Sequence, residues 1–294
     1  MKQIEILQDD ANQRLDKFLL KMFPDLSRSL MYKAIRNKKI KVNRKRCTYD
    51  QILNKGDIVL LFLPPQFLNE KQRESNFISN QLDVIYEDEN ILIVNKPVGL
   101  LSQSDTSQTQ DTLVSRIQGY LYEKNEYDPN NAHSFAPGIC NRLDRNTRGL
   151  VIAAKNANAS RIINEAIAQR RIHKYYKAYV SGHLEDKNFV IKKYMYKNKT
   201  KALVSDYPKD GYKIAYMEGN VLMQDKMNTW VEIELHTGRF HQIRALMSSI
   251  SHPLVGDKKY GYKGKNMNIQ LIAYQLRFDQ LDLSLPIHEF VIKD

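Results

Sequence analysis

Leu15, Phe18, Leu19 and Met22 recur at helical spacing, and the apolar stripe they make predicts an amphipathic helix that Pro24 stops. Ser27 is placed to cap a second helix through Ser29 to Asn37, with Leu30, Ala34 and Ile35 on its apolar side. Residues 40–42 and 58–63 read as short strands, and Gly56-Asp57 signals a turn before the second. Residues 12–64 thus predict a compact helix–helix–strand unit. From Pro65 to Gln81 the chain is polar behind a Pro-Pro pair, the composition of a linker.

Residues 82–294 carry a different pattern. Apolar 84–86 and 91–94 flank a polar turn and predict a β-hairpin. Asp111 can cap a helix carrying Leu113, Val114, Ile117 and Leu121. Residues 149–155 predict a strand, and 157–171 a helix with Ile162, Ile163, Ala166 and Ile167 inward. Residues 175–181 and 229–236 predict further strands. Strands interspersed with helices, without strict alternation, predict an α+β domain: a mainly antiparallel mixed sheet flanked by helices.

Charge sharpens this division. The chain has 45 Lys+Arg against 33 Asp+Glu, a net of +12, which points to a polyanionic partner. Residues 11–64 alone hold 13 bases and 4 acids, +9 of that total. Most of it sits in Arg28, Lys33, Arg36, Lys38, Lys39, Lys41, Arg44, Lys45 and Arg46. A solvated helix face interleaves acids with its bases; here almost none intervene, so phosphate binding explains the segment better. The charge alone fits either nucleic acid or an anionic membrane surface. No apolar run approaches a membrane span, and with the basic excess gathered in one unit nucleic acid is expected as partner and no membrane. Two cysteines and a polar N-terminus predict a reducing cytoplasm without a disulfide framework.

The chemistry narrows by elimination. No phosphate-binding loop, dinucleotide fingerprint or nucleophile elbow occurs. The seven histidines are scattered, and His236 and His241 stand across a turn in poor metal geometry, so neither metal nor redox cofactor is expected. Two charged clusters remain. Asp144 lies between Arg142 and Arg145 ahead of an apolar strand, and residues 237–244 put Arg and His at the start of a predicted helix. A carboxylate beside guanidiniums is held ionised, and partly desolvated it can act as nucleophile or base in an anion-binding site. On spacing alone, an aspartate that caps the turn Asp-Arg-Asn-Thr is as good a reading.

The residues resemble the RluA-type pseudouridine synthases over nearly the whole chain. Asn141-Arg142-Leu143-Asp144-Arg145-Asn146-Thr147-Arg148-Gly149-Leu150 is similar to the family's segment around its catalytic aspartate. Residues 86–99 resemble its opening segment, Lys174-Tyr175-Tyr176-Lys177-Ala178 its K-x-Y-x-A strand, and 237–244 and 252–261 its T-G-R-x-H-Q-I-R helix and H-P-x-x-G-D turn. The basic unit resembles an S4 RNA-binding domain through Arg14-Leu-Asp-Lys-Phe-Leu19, Ser27-Arg-Ser29, Ile40-Lys-Val-Asn43 and Gly56-Asp57.

The resemblance implies a cofactor-free isomerisation of a flipped-out uridine in RNA, with S4-type domain 12–64, linker 65–81 and catalytic domain 82–294. It implies Asp144 as catalytic carboxylate, Tyr176 stacking on the uracil and assisting proton transfer at C5, and Arg244 pairing with Asp144. On a helix Arg244 would share a face with His241 and Phe240. Arg142 would fill the space the base leaves or contact phosphate, and Arg148, Arg239 and Gln242 join the RNA-binding set, the last two also as holders of their loop. Leu246 and Met247 are plain core. Two positions depart from the family pattern: Asn141 stands for its histidine and Arg148 for its serine. The S4-type unit points to 23S ribosomal RNA or a large-subunit precursor as substrate, with tRNA the alternative, and a monomer is expected. The rival reading is a non-catalytic RNA-binding or assembly factor that kept the fold. Joint retention of Asp144, Tyr176 and Arg244 argues against it.

Overall fold

A computed structural model describes residues 1–70, 81–104, 111–130, 133–265 and 267–292. Most of the expected linker, 71–80, lies outside the described residues.

The N-terminal unit begins with strand β1 (Lys2–Glu5), which sequence pattern does not announce. Helix α1 (Leu15–Met22) buries Leu15, Phe18, Leu19 and Met22, the stripe that periodicity predicts. Helix α2 (Arg28–Arg36) is capped by Ser27, whose hydroxyl accepts from Leu30 N at 3.3 Å. Strands β2 (Ile40–Val42), β3 (Lys45–Arg46) and β4 (Ile58–Leu61) complete a sheet in the order β1-β4-β2-β3. The two helices and this sheet enclose a separate apolar core around Phe18, Phe23, Met31 and Leu53.

The second sheet has eleven strands among the described residues. It opens with the predicted hairpin, β5 (Val84–Glu87) and β6 (Ile91–Lys96). Helix α3 (Leu113–Glu123) is capped by Thr112 rather than Asp111; Asp111 instead pairs with Arg116 at 2.8 Å. Short β7 (Gly138–Ile139) and β8 (Arg148–Ala154) lead to helix α4 (Ala157–Ala168), which ends three residues before the predicted limit. Ile163 and Ala166 are fully inside it, while Ile162 and Ile167 are half-buried. Strands β9 (Ile172–Ser181), β10 (Asn188–Asn198), β11 (Lys201–Ser205), β12 (Lys213–Gln224) and β13 (Asn228–Leu235) follow as antiparallel ladders. Helix α5 (Gln242–Ser249), β14 (Leu271–Phe278) and β15 (Glu289–Val291) close the chain. No helix among the described residues is long and apolar enough to cross a membrane.

The sheet's ladders are antiparallel except where β14 runs parallel to β8, with Ala273 opposite Gly149. There the backbones approach so closely that a Cβ on Gly149 would lie 2.3 Å from Ala273 O, and its φ of +134° also excludes a side chain. This seam joins the hairpin half of the sheet to the half carrying β9, and it sets the loop before β8 beside Tyr176.

The two units meet through acids at the start of the chain. Asp10, 2% exposed, accepts from Ser134 N at 3.0 Å and Ser134 Oγ at 2.6 Å, with His133 Nδ1 at 3.0 Å. Asp9 accepts from Ala157 N at 2.9 Å, at the first turn of α4.

Gly149→Ala is expected to lower unfolding free energy by about 2–4 kcal/mol, from steric overlap plus left-handed strain. Urea denaturation with an unchanged m-value checks this; stability within error of wild type would contradict the seam.

Candidate active site

Asp144, Tyr176 and Arg244 line one cleft of about 1270 Å³. Asp144 begins a turn closed by its main-chain carbonyl, which accepts from Thr147 N at 3.0 Å, while its carboxylate meets Arg244 in the cleft and is not what closes the turn. This loop is stitched to the segment after β6. Ser102 Oγ donates to Leu143 O at 2.7 Å and accepts from Leu143 N at 3.1 Å. Gly99 N donates to Arg145 O at 2.8 Å, and Arg145 Nε returns a bond to Gly99 O at 2.9 Å. Beneath them the fully buried Lys96 donates from Nζ to Pro97 O and Leu100 O at 2.8 Å and to Arg145 O at 3.2 Å.

The guanidinium partner of Asp144 is distant in sequence. Arg145 is engaged with Gly99 and Arg142 stands exposed on the cleft lining, so the flanking arginines expected to hold the carboxylate do not do so. Arg244 Nη1 instead donates to Asp144 Oδ2 at 3.1 Å. Arg244, 7% exposed, is itself gripped by Asp257, 1% exposed, through Nε–Oδ2 at 2.7 Å and Nη2–Oδ1 at 3.0 Å. Burial works against this charge, but the Asp257 pair outweighs it and holds the guanidinium above its ordinary value. The Tyr260 ring lies 5.1 Å from the Arg244 guanidinium carbon.

His241 is the N-cap of α5 and not part of it, with φ +53° and ψ +32°. The predicted shared helical face of Phe240, His241 and Arg244 therefore does not exist, because the left-handed residue breaks the spiral. His241 still reaches the site: its Nε2 is 3.7 Å from Asp144 Oδ2, and Phe240 stacks on its ring. Gln242, expected to contact RNA or to hold its loop, does hold the loop. Its Oε1 accepts from Thr237 Oγ1 at 2.7 Å and Arg239 N at 3.0 Å, while Nε2 donates to Tyr216 O at 3.0 Å. Arg239 is exposed on the cleft rim with Nε donating to Ile214 O at 2.9 Å. Arg148, half-buried at the start of β8, lies outside the cleft lining.

Tyr176 sits at the centre of β9 between Ile233 of β13 and Ala273 of β14, buried with its ring against the cleft. Burial first, then the Asp144 charge, pushes its hydroxyl well up, so the phenol stays protonated. Asn141, the first departure from the family pattern, bonds β8: it accepts from Ile152 N at 2.8 Å and donates to Leu150 O at 3.3 Å. Leu246 and Met247 are fully buried. Among the described residues, Glu218, Glu234 and His236 form a group with metal-ligating spacing, but none of them lines the cleft.

Of the nine N-terminal bases, eight are exposed on α2 and around β2 and β3, and Lys41 is half-buried. Sequence pattern does not single out Asp257, Lys96 or Tyr260, although Lys96 falls inside the 86–99 motif and the other two inside the 252–261 motif. It also passes over Lys197, Lys258 and Lys259, which give the cleft further positive charge.

A profile described as RNA pseudouridylate synthase matches residues 90–249, and an S4 domain profile matches 13–59. The chain is 36% identical over 289 residues to an uncharacterized RNA pseudouridine synthase of Mycoplasma capricolum, covering 96% of this chain and 93% of that one. It is 31% identical over 260 residues to the ribosomal large subunit pseudouridine synthase D of Escherichia coli K12, covering 87% and 75%. Among solved structures, the human RNA pseudouridylate synthase domain containing 1 shares the fold with a TM-score of 0.57 at 22% identity, covering 76% of this chain and 86% of that one.

Burial brings Lys96 down to about 8 from its ordinary 10.5, with the Asp144 charge acting the other way. Between those values the unfolded chain binds more protons at this group, so its contribution to stability rises as pH climbs through the window. Lys96→Met is expected to abolish that rise and to cost about 1–3 kcal/mol at neutral pH, since three carbonyls lose their donor. Urea unfolding of both proteins on either side of the window measures it.

Proposed function

The chain belongs to the RNA pseudouridylate synthase family, and we propose that it isomerises specific uridines of large-subunit ribosomal RNA with Asp144 as the reacting carboxylate. The observation that carries this reading is the asymmetric clamp on Asp144. Among the described residues, the hydrogen bond from Arg244 and the approach of His241 both address Oδ2. Oδ1 is left for the nucleotide, in a cleft whose lining carries Arg142, Lys197, Arg239, Lys258 and Lys259 to meet phosphates.

The reaction balances without an added reagent. The N1–C1′ bond breaks, the uracil turns, C5 bonds to C1′, and the proton lost from C5 is matched by one gained at N1. Attack on C1′ and removal of the C2′ proton both need an unblocked carboxylate oxygen, which Oδ1 supplies. A uridine must leave its stack to reach this depth. Tyr176 offers the flipped base a ring face and a protonated hydroxyl; with its pKa pushed up, it acts as a donor and not as the base that takes the C5 proton. Arg142, exposed at the mouth, stacks where the base leaves or meets a phosphate beside it.

The S4-type unit supplies the wider grip. Its cationic residues project from α2 and the β2–β3 turn with few acids between them, suited to the phosphates of a folded RNA. A ribosomal substrate and free thiols at Cys47 and Cys140 fit work in the cytoplasm.

Asp144→Asn is expected to abolish pseudouridine formation in 23S ribosomal RNA while RNA affinity stays within about threefold, since the lost charge contributes no phosphate contact. Chemical pseudouridine mapping and filter binding check both halves. Residual product would remove Asp144 from the chemistry, and modified tRNA with untouched 23S RNA would redirect the substrate. The joint variant Arg36→Gln, Lys39→Gln, Arg44→Gln is expected to weaken binding and flatten the slope of log K against log salt by about 2. An unchanged slope would take the unit off the RNA.

A further inference from the structure

We propose that His241 is a positioning residue for the catalytic carboxylate: a neutral imidazole, locked with its proton on Nε2, that addresses Asp144 Oδ2. This rests on the reading of Asp144 as the reacting group. The locking begins at a backbone amide. Ala202 N donates to the Tyr260 hydroxyl oxygen at 2.7 Å, and that hydroxyl lies 2.9 Å from His241 Nδ1. With the oxygen already accepting, the phenol proton needs an acceptor of its own, and among the described residues Nδ1 is the one within reach. Tyr260 therefore donates, Nδ1 accepts, and the single ring proton of the neutral imidazole stands on Nε2.

A second proton on Nδ1 would face the phenol hydrogen and deprive it of its acceptor. The groups around the ring act in the same sense. Burial disfavours the imidazolium, Arg244 and Lys259 repel it, and Asp144 and Asp257 only partly oppose them, so the ring is brought down to about 4. Phe240 stacks at 3.8 Å between centroids, and Tyr260 meets the ring edge-on at 5.6 Å. The left-handed backbone at His241 is a conformation that residues bearing a Cβ rarely adopt. It interrupts the chain one residue before α5, and the ring stands beside Asp144.

Nε2 is 3.7 Å from Oδ2, a separation that hydrogen bonds in active sites close when substrate binds. Arg244 Nη1 and His241 Nε2–H then converge on one oxygen, fixing the rotation of the carboxylate and presenting the other. Because the histidine is neutral, it orients Asp144 without adding a second positive charge that would weaken it as nucleophile or base.

Long-range 1H–15N correlation on histidine-labelled full-length protein reads the tautomer directly. The expected result is an Nε2–H imidazole that does not titrate above about pH 5. With 23S RNA, His241→Phe keeps the ring stack and removes the donor, and is expected to lower kcat roughly 10- to 100-fold, the factor of one hydrogen bond to a charged group, with KM unchanged. His241→Gln, which presents an amide N–H in place of Nε2–H, recovers most of that loss. Tyr260→Phe frees Nδ1 to take a proton, so the imidazole titrates higher than in the wild type and the acid-side fall of activity moves to higher pH. An Nδ1–H tautomer, an ordinary histidine titration in the wild type, or wild-type kcat in a folded His241→Phe overturns the proposal. Should His241→Phe fail to fold, the tautomer and the Tyr260→Phe pH profile decide. Full activity of Asp144→Asn would remove the premise instead, leaving the tautomer measurement intact, so the two failures are distinguishable.

Discussion

A buried guanidinium has to be neutralised, and Arg244 is the charge around which this cleft is arranged. At 7% exposure it would be poorly compensated without Asp257, because Asp144 is partly exposed and meets it through a single bond; removing one partner of such a buried pair typically costs about 3–5 kcal/mol. The two acids divide the task. Asp257, fully inside, takes Nε and Nη2 in a fork that only arginine can offer. That leaves Nη1 for Asp144, whose side chain is 27% exposed and faces the cleft. One carboxylate thus fixes the arginine, and the arginine aims the other into the cleft.

That arrangement works only if three distant stretches arrive together. α5 brings Arg244, the turn after it brings Asp257, and the loop before β8 brings Asp144. The last belongs to no helix or strand, and main-chain ties hold it. Ser102, Gly99 and Lys96 bind its backbone from one side, while Gly149 lets β8 press against β14 immediately behind it. A lysine is well suited to the central tie because its ammonium offers three donors, matching three carbonyls that converge on a fully buried side chain.

Legibility in the sequence followed the strength of local signals. α1 and α2 were readable because their apolar stripe has helical period and Ser27 is a good cap. β10 and β12 were not: in β10 only Ile191 and Met195 are buried, four residues apart, so the alternation that marks a strand is missing. β14 hides for another reason, a register shift between Ala273 and Gln275 that breaks its period. At the site, Asp144 was visible but its flanking arginines pointed to the wrong partners. Adjacency suggested Arg142 and Arg145, whereas the fold supplies Arg244; that long-range pairing came from family resemblance, not from spacing. Asp257 stood inside a recognised motif, yet nothing local distinguishes a buried ion-pair partner from a turn aspartate.

The N-terminal unit shows how a second charge pattern gains meaning from the first. Its bases would hold RNA wherever the unit lay, but a tethered module that reorients freely contributes only an effective concentration. Asp9 and Asp10 change this. Asp10 gathers Ser134 N and Oγ in a setting 2% exposed, and Asp9 meets the first turn of α4, the helix that packs on β8 behind the Asp144 loop. The few acids at the start of a strongly basic region are thus the ones that fasten it. With the unit so held, its basic face and the cationic cleft lining keep a fixed spacing, and an RNA binding both would be selected by shape before any base is read.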